Sequence, residues 1–326
     1  MKSFHHMNAK TVTEAVKLLK AYKGKARLNA GGTDLLGILK DRILPDYPEA
    51  IINIKTIPRL DYIKEDTKGL KIGALARLSD IAKSSAVKET YQVLSAAASA
   101  VATPQIRNMA TIGGNLCQDV RCWYYRYPNL IGGRILCLRK GSGPCHAVTG
   151  DNRYHAILEG KRCFAVCPSD IAIALTALDG KIKIAGAKGV RTVPVKEFFK
   201  PLGNALESDE MVTEIQVPRP PERARQTFLK FTLRKPIDFA IVSIASVIKL
   251  ENEICTDAKI VLGAVAPTPI QATKAEEIIK GKAIDDITAA RAAEATIAGA
   301  KPLSMNAYKV EITKKLVERA ILPKDN

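Results

Sequence analysis

The first forty residues carry two different patterns of apolar and polar positions, one with the period of a helix and one with that of a strand. Thr11 stands three residues before Glu14, the spacing of a capping box, and the apolar positions that follow predict a helix over 11–21. Residues 26–30 predict a short strand. That strand ends at Gly-Gly-Thr-Asp over 31–34, and Leu35 and Leu36 then indicate the start of another helix.

The rest of the chain mixes both periods. Strands are predicted over 51–54, 62–66 and 70–74, helices over 78–83 and 88–102, a capped helix from Asp170, and strands over 182–185, 190–193 and 210–217. Prolines at 218, 220 and 221 mark a domain boundary. Beyond it the pattern predicts strands over 227–233, 240–250 and 259–266, then helices over 271–280, 284–298 and 306–320. Strands followed by helices are typical of an α+β unit.

Two Gly-Gly segments stand beside a Thr and an Asp or Asn, at 31–34 and at 111–115. Glycine lets the backbone approach a ligand closely and present consecutive N–H groups to an anion. A plain tight turn uses the same residue types, so one segment alone is ambiguous. Two such segments in one chain predict a site that grips the two ends of one diphosphate-containing cofactor.

Six of the seven cysteines lie in one sixth of the chain: Cys117, Cys122, Cys137, Cys145, Cys163 and Cys167. Lys, Arg and Gly surround them, without a periodic apolar face, which favours ligands over core side chains. Their spacing lacks the Cys-x2-Cys pair of zinc ribbons and ferredoxins, yet four thiolates suit either an iron–sulfur cluster or a zinc site. His146 or His155 could replace one thiolate, and unpaired thiols in a loop are the plain alternative.

Composition narrows the class of protein. A chain of 326 residues with 47% hydrophobic and 25% charged residues fits a globular protein of two or three domains. No apolar run approaches the 18 or so residues of a membrane span, and the first residues lack the apolar segment of a secretory signal, so we expect a cytoplasmic protein with reduced thiols. The net charge of +17 is spread along the chain, which indicates a solvated surface and not a nucleic-acid-binding face.

Four motifs in order resemble the FAD-binding medium subunit of the molybdenum hydroxylases, the family of xanthine dehydrogenase and carbon monoxide dehydrogenase. They are L-N-A-G-G-T-D-L-L (28–36), A-T-I-G-G-N (110–115), P-S-D (168–170) and F-L-K-F-T-L-R-K-P-I-D-F-A-I-V (228–242). The resemblance implies an α+β fold with a PCMH/VAO-type FAD-binding domain over 1–218, in two subdomains split near residue 55. A CO dehydrogenase flavoprotein-like C-terminal domain, with a three-stranded sheet packed on helices, is implied over 222–326.

The resemblance also implies which residues contact FAD. The diphosphate is expected on Asn29, Ala30, Gly31, Gly32, Thr33 and Asp34, flanked by Leu28 and Leu35. Ala102, Ala110, Thr111, Gly114 and Asn115 are expected around the adenine and diphosphate side, and Asp170 and Lys230 match further contacts. Asp170 could also be a helix N-cap, and Lys230 could simply face solvent from its strand. No residue of this chain is implied to be catalytic.

The residues 118–167 form an insert where ordinary members of the family have only a handful of residues. It is similar to the insert in the flavoprotein subunit of 4-hydroxybenzoyl-CoA reductase, which carries a [4Fe–4S] cluster. The resemblance implies Cys122, Cys137, Cys145 and Cys163 as cluster ligands, with Cys117 and Cys167 as spare thiols. Cys117, Cys167 or His155 in place of one of the four is the alternative.

The function implied is that of an electron-transfer subunit. Its expected partners are a large molybdenum cofactor-binding subunit and a small subunit with two [2Fe–2S] clusters, in a dimer of heterotrimers, with ferredoxin or NAD as the external electron partner. The insert favours 4-hydroxybenzoyl-CoA reductase, and a xanthine or aldehyde dehydrogenase-type enzyme is the alternative. A zinc-stabilised basic interaction module and a free-standing flavin oxidase are the other hypotheses; the paired glycine motifs argue against the first, and the lack of an obvious acid or base beside them against the second.

Overall fold

A computed structural model describes residues 1–235 and 237–322 of the chain. No helix in these ranges has the length and apolar character needed to cross a bilayer. The predicted C-terminal domain therefore runs up to residue 322 here, since residues 323–326 lie outside the described ranges.

The chain begins with a small three-stranded parallel sheet in the order β1-β3-β2. Its elements are β1 (His5–Asn8), α1 (Val12–Ala21), β2 (Ala26–Asn29), α2 (Leu35–Asp41) and β3 (Ala50–Asn53). Helix α1 begins where predicted, because the side chain of Thr11 accepts a hydrogen bond from the backbone N–H of Glu14 at 3.1 Å. Its apolar face packs on the sheet through Ala15, Val16 and Leu19.

A second, five-stranded antiparallel sheet has the order β4-β5-β10-β6-β7. The elements up to the insert are β4 (Ile63–Asp66), β5 (Gly69–Gly73), α3 (Leu78–Lys83), α4 (Ser85–Thr90), α5 (Gln92–Ser99), α6 (Pro104–Arg107) and α7 (Ile112–Cys117). Those of the insert and beyond are α8 (Trp123–Arg126), a 3-10 turn (Leu138–Lys140), α9 (Asp170–Ala177), β6 (Lys181–Gly186), β7 (Gly189–Pro194), α10 (Val195–Phe198), β8 (Phe199–Lys200), β9 (Gly203–Asn204) and β10 (Met211–Pro218).

The single helix predicted over 88–102 is wrong, because the structure has two helices that meet at Tyr91. Tyr91 leaves the helical conformation, with φ −118° and ψ 51°, and its side chain is fully buried. Burial of this large ring in the core breaks a segment that is otherwise rich in good helix formers. The second helix ends at Ser99, and Ala102 beyond it has a positive φ of 44°.

The C-terminal domain has a four-stranded antiparallel sheet in the order β11-β12-β13-β14, with helices on one face. Its elements are β11 (Arg225–Phe231), β12 (Val242–Glu251), β13 (Ile254–Gly263), β14 (Ile270–Gln271), α11 (Thr273–Ile279), α12 (Asp286–Ile297) and α13 (Tyr308–Ile321). The prediction of three strands missed the short β14 and began β13 too late. Asn252 and Glu253 both have positive φ, which makes a two-residue hairpin turn, so β13 starts at once after it.

The insert over 118–167 lies between the domains and packs on both. Val120, Tyr125 and Cys137 form an apolar cluster with Ile38 of α2 and with Ile43, which follows α2 closely. On the other side, the backbone N–H groups of Ile157 and Leu158 both donate to the carbonyl oxygen of Val265, at 2.9 and 3.0 Å. The insert is therefore held by the segment around α2 and by the C-terminal domain, although its own regular structure is limited to the four-residue helix α8 and one 3-10 turn.

Candidate functional site

The first glycine segment forms the turn between β2 and α2, and the structure places it against the second. Gly32 has a φ of +72°, which an L side chain rarely adopts. A Cβ on Gly31 would lie 2.1 Å from the carbonyl oxygen of Met109, just before the second segment. Only glycine allows this approach, so the first segment packs against Met109 and Ala110, directly before the second segment.

The second glycine segment opens α7. The side chain of Thr111 accepts a hydrogen bond from the N–H of Gly114 at 3.1 Å and caps the helix. Asn115 then accepts a hydrogen bond from the hydroxyl of Ser169 at 2.6 Å, which joins α7 to the start of α9. Ser169 is the N-cap of α9, because its hydroxyl accepts from the N–H of Ala172 at 3.0 Å; the alternative that Asp170 is the N-cap is wrong.

A cavity of about 690 Å³ opens between these segments, within the usual size range of ligand sites. Nine of the predicted cofactor residues line it: Leu28, Ala30, Gly31, Gly32, Thr33, Asp34, Leu35, Thr111 and Gly114. Asn29, Ala102, Ala110, Asn115, Asp170 and Lys230 do not line it. The sequence missed the wall formed by the β8–β9 ribbon, because a Lys-Pro-Leu-Gly turn carries no signal of a binding site.

Asn29 supplies an unused acceptor beside the first turn. Its side-chain oxygen is buried and has no hydrogen-bond partner among the described residues. A Cβ on Gly32 would lie 3.2 Å from this oxygen, so the atom faces the turn. A buried acceptor without a partner costs about 1–3 kcal/mol.

Asp34 is held by the insert. Its carboxylate lies 2.6 Å from Arg121 and 2.7 Å from Arg126, and it accepts the backbone N–H of Asp119 at 2.8 Å. The two guanidinium groups neutralise the carboxylate of Asp34, so it does not repel an anion at the turn. The N–H groups of the turn can then bind an anionic group such as a diphosphate.

Asp170 and Lys230 form a buried ion pair at 2.8 Å, with side chains 6% and 9% exposed. The alternative that Lys230 simply faces solvent is therefore wrong. The ammonium also donates to the carbonyl oxygen of Ala100 at 2.9 Å. Burial raises the pKa of Asp170, although Lys230 opposes this shift. The pair fixes α9 and β11 to the chain that follows α5, two residues before Ala102.

The four cysteines implied as ligands, Cys122, Cys137, Cys145 and Cys163, all line one second, smaller cavity. Cys117 and Cys167 line the larger cavity instead. Over residues 1–235 and 237–322, no three side chains of His, Cys, Asp or Glu converge closely enough to hold a metal ion. The thiols surround a common space without meeting at one point.

His155 and Arg139 contact the thiols from outside. The Nε2 atom of His155 lies 3.2 Å from the sulfur of Cys122, and Nε of Arg139 donates to the sulfur of Cys163 at 3.3 Å. Burial lowers the pKa of His155 to about 4 and raises that of Cys122 to about 11. Arg139 and Tyr125 line both cavities, so the two sites share a wall.

Comparisons with known proteins agree with this geometry. The family model described as the FAD binding domain in molybdopterin dehydrogenase matches residues 2–220. This chain belongs to that family. A second model, the CO dehydrogenase flavoprotein C-terminal domain, matches residues 227–323. The predicted α+β fold, with an FAD-binding domain followed by a CO dehydrogenase flavoprotein-like domain, is confirmed. The chain is thus an FAD-binding flavoprotein subunit of an oxidoreductase of the molybdenum hydroxylase type.

Full-length relatives support the assignment to this family. The chain is 32% identical to the aldehyde oxidoreductase FAD-binding subunit PaoB of Escherichia coli K12, with 97% of this chain and 96% of the relative covered. It is 29% identical to the carbon monoxide dehydrogenase medium chain of Hydrogenophaga pseudoflava, over 98% and 96%. A solved structure of carbon monoxide dehydrogenase from that organism superposes with a TM-score of 0.79 at 28% identity, over 98% of this chain and 96% of that chain.

Proposed function

We propose that this flavoprotein subunit passes electrons between FAD in the larger cavity and a [4Fe–4S] cluster held by the insert. The observation that carries the proposal is the shared wall: four thiols surround a space that two side chains separate from the dinucleotide cavity. Bound flavin accepts or gives two electrons in single steps, which couples one-electron iron–sulfur centres to two-electron partners. Proximity of the two sites is what such an exchange requires.

The residues around the larger cavity fit FAD. The N–H groups of the turn at Gly31 and Gly32 would hold the diphosphate, since Arg121 and Arg126 neutralise the neighbouring carboxylate of Asp34. Asn29 would support this turn from outside the cavity, since its buried side-chain oxygen faces the turn. Thr111 and Gly114 would border the same cofactor from α7. Ala102, Ala110, Asn115, Asp170 and Lys230 would act from behind these residues by holding the backbone in place.

The four thiols fit an iron–sulfur cluster better than a zinc ion. Zinc binds thiolates at about 2.3 Å, so its four sulfurs must meet around one point. A four-iron cluster is held by four cysteines that lie further apart, because each cysteine binds a different iron. Here Cys122, Cys137, Cys145 and Cys163 line a common space without such convergence. We assign them as the ligands, with His155 as a hydrogen-bond partner of Cys122.

We also propose the partners and the enzyme. A large molybdenum cofactor-binding subunit and a small subunit with two [2Fe–2S] clusters would complete a dimer of heterotrimers, with ferredoxin or NAD as the external electron partner. The cysteine insert supports a 4-hydroxybenzoyl-CoA reductase-type complex. The 32% identity to an aldehyde oxidoreductase subunit favours a second candidate, an aldehyde-oxidising complex. Assays of the purified complex with 4-hydroxybenzoyl-CoA and with aldehydes separate the two.

The cluster is tested by anaerobic purification with metal analysis and EPR spectroscopy. We expect one FAD and about four irons per chain. Cys137→Ser and Cys145→Ser should lose iron and keep FAD, because the flavin cavity is built from other residues. Cys255→Ser, at a buried position in the C-terminal core, is the matched control and should keep both. Zinc in place of iron, or iron retained in both variants, would refute the assignment.

A further inference from the structure

Arg139 occupies an unusual place between the two proposed cofactor sites. It belongs to the 3-10 turn directly after Cys137, and its side chain is only 6% exposed. Its Nε atom donates to the sulfur of Cys163 at 3.3 Å. Its Nη2 atom donates to the carbonyl oxygen of Pro201 at 2.6 Å, and Nη1 lies 3.7 Å from the carboxylate of Asp119.

These contacts fix the guanidinium from three separate parts of the chain. Pro201 belongs to the turn between β8 and β9, whose neighbouring residues line the flavin cavity, and Asp119 lines that cavity as well. Arg139 itself lines both cavities. A planar guanidinium held at three points keeps its Nε–H directed at one sulfur. These contacts of Arg139 are not needed for diphosphate binding, because the glycine turn already accounts for it.

We propose that Arg139 is a positioning residue that raises the reduction potential of the cluster. The inference rests on the proposed function, with Cys163 as a cluster ligand. Reduction adds one electron to the cluster and forms or breaks no bond. A cation and an N–H donor at a ligand sulfur stabilise the more negative, reduced state, and hydrogen bonds to the sulfurs are a known determinant of cluster potential. Burial strengthens the effect, because solvent screens the charge less.

Asp119 does not cancel this effect. Its carboxylate lies further from the guanidinium than Cys163 does, at 3.7 Å, and it also accepts hydrogen bonds from the hydroxyl of Tyr125 and the N–H of Val120. The carboxylate is 28% exposed, so water screens part of its charge. The net electrostatic potential that Arg139 and Asp119 produce at the sulfur of Cys163 therefore stays positive. Through this sulfur, Arg139 would set the driving force for electron exchange with the flavin.

The test is an EPR-monitored redox titration of the anaerobic protein, with dithionite as the electron donor and dye mediators. At the midpoint potential of the wild-type cluster, Arg139→Met should lower the ratio of reduced to oxidised cluster by about tenfold, a shift of about 59 mV for one electron. Arg139→Lys keeps the charge without the fixed fork and should shift the ratio in the same direction by a smaller factor. Arg162→Met is the control, since Arg162 lines the same cavity from an exposed position.

The outcomes separate this inference from the proposed function. A wild-type protein without iron would refute the cluster, and this inference with it. An intact cluster that titrates like the wild type in Arg139→Met would refute the inference alone, as would an Arg162→Met shift as large as that of Arg139→Met. If Arg139→Met fails to assemble a cluster, the midpoint potential of Arg139→Lys is used instead. A potential equal to that of the wild type would then refute the inference. Iron content measured on every sample shows which case applies.

Discussion

Lys309 buries its ammonium group completely, and the described residues include no carboxylate that pairs with it. Its Nζ atom donates to the carbonyl oxygens of His155 at 3.0 Å and Ala264 at 2.6 Å, so it ties the insert to the C-terminal domain. Burial lowers its pKa from 10.5 to about 7. The folded protein therefore binds this proton more weakly than the unfolded chain does.

The sign of the effect on stability follows from the two pKa values. Between about pH 7 and pH 10.5 the unfolded chain holds a proton that the folded chain has released, so the free energy of unfolding rises with pH in this window. Over the whole window Lys309 contributes a rise of about 5 kcal/mol, at about 1.4 kcal/mol per pH unit. Between about pH 7 and about pH 9, Lys309 should raise the free energy of unfolding by about 2 kcal/mol.

Lys309→Met removes this proton and keeps most of the side-chain volume. In this variant the carbonyl oxygen of Ala264 loses its donor, which costs about 1–3 kcal/mol at any pH. The carbonyl oxygen of His155 still accepts a hydrogen bond from the side-chain amide of Asn306 at 3.1 Å. The variant should therefore show a free energy of unfolding that rises less with pH. The wild type should gain about 2 kcal/mol more than the variant between about pH 7 and about pH 9.

Urea titrations at these two pH values, followed by tryptophan fluorescence, measure the difference. Trp123 is the only tryptophan of the chain, and its ring centroid lies 5.8 Å from that of His155, so it reports on the insert beside Lys309. Lys315 lies on the same helix with a side chain 72% exposed, so Lys315→Met is the control. Its free energy of unfolding should depend on pH as that of the wild type does. Equal pH dependence in the wild type and Lys309→Met would show that the reasoning from burial is wrong.

Two further predictions concern the first glycine turn and the buried ion pair. Gly31→Ala should abolish FAD binding, because the new Cβ would meet the carbonyl oxygen of Met109 at 2.1 Å; Gly37→Ala, with nothing within 4 Å, should retain the visible absorbance of bound flavin. Lys230→Met should lower the free energy of unfolding by about 3–5 kcal/mol, since it leaves the carboxylate of Asp170 buried without a cation. This loss should be smaller at about pH 5 than at about pH 8 in urea titrations, because protonation of Asp170 removes the charge; an equal loss at both would contradict the mechanism.

Elements with local signals were predicted well. Helix α1 was found from the Thr11 cap and its apolar stripe, and β2 with its Gly-Gly turn from a short run and two glycines. The failures are tertiary in origin. The burial of Tyr91 splits a helix that local propensity would continue, and the buried pair of Lys230 and Asp170 depends on residues sixty positions apart. The role of the β8–β9 ribbon as a cavity wall has no local signal either.

Local patterns were enough to predict most of the longer helices and strands, the two glycine turns and the concentration of thiols in one segment. These features follow from backbone preferences, capping and composition, which act between near neighbours. Three features could be seen only in the folded chain: Gly31 meets Met109, four cysteines share one space, and Arg139 lies between two cavities. Contacts between distant positions depend on how all the elements pack together, because a side chain is placed by the whole core and not by its own segment.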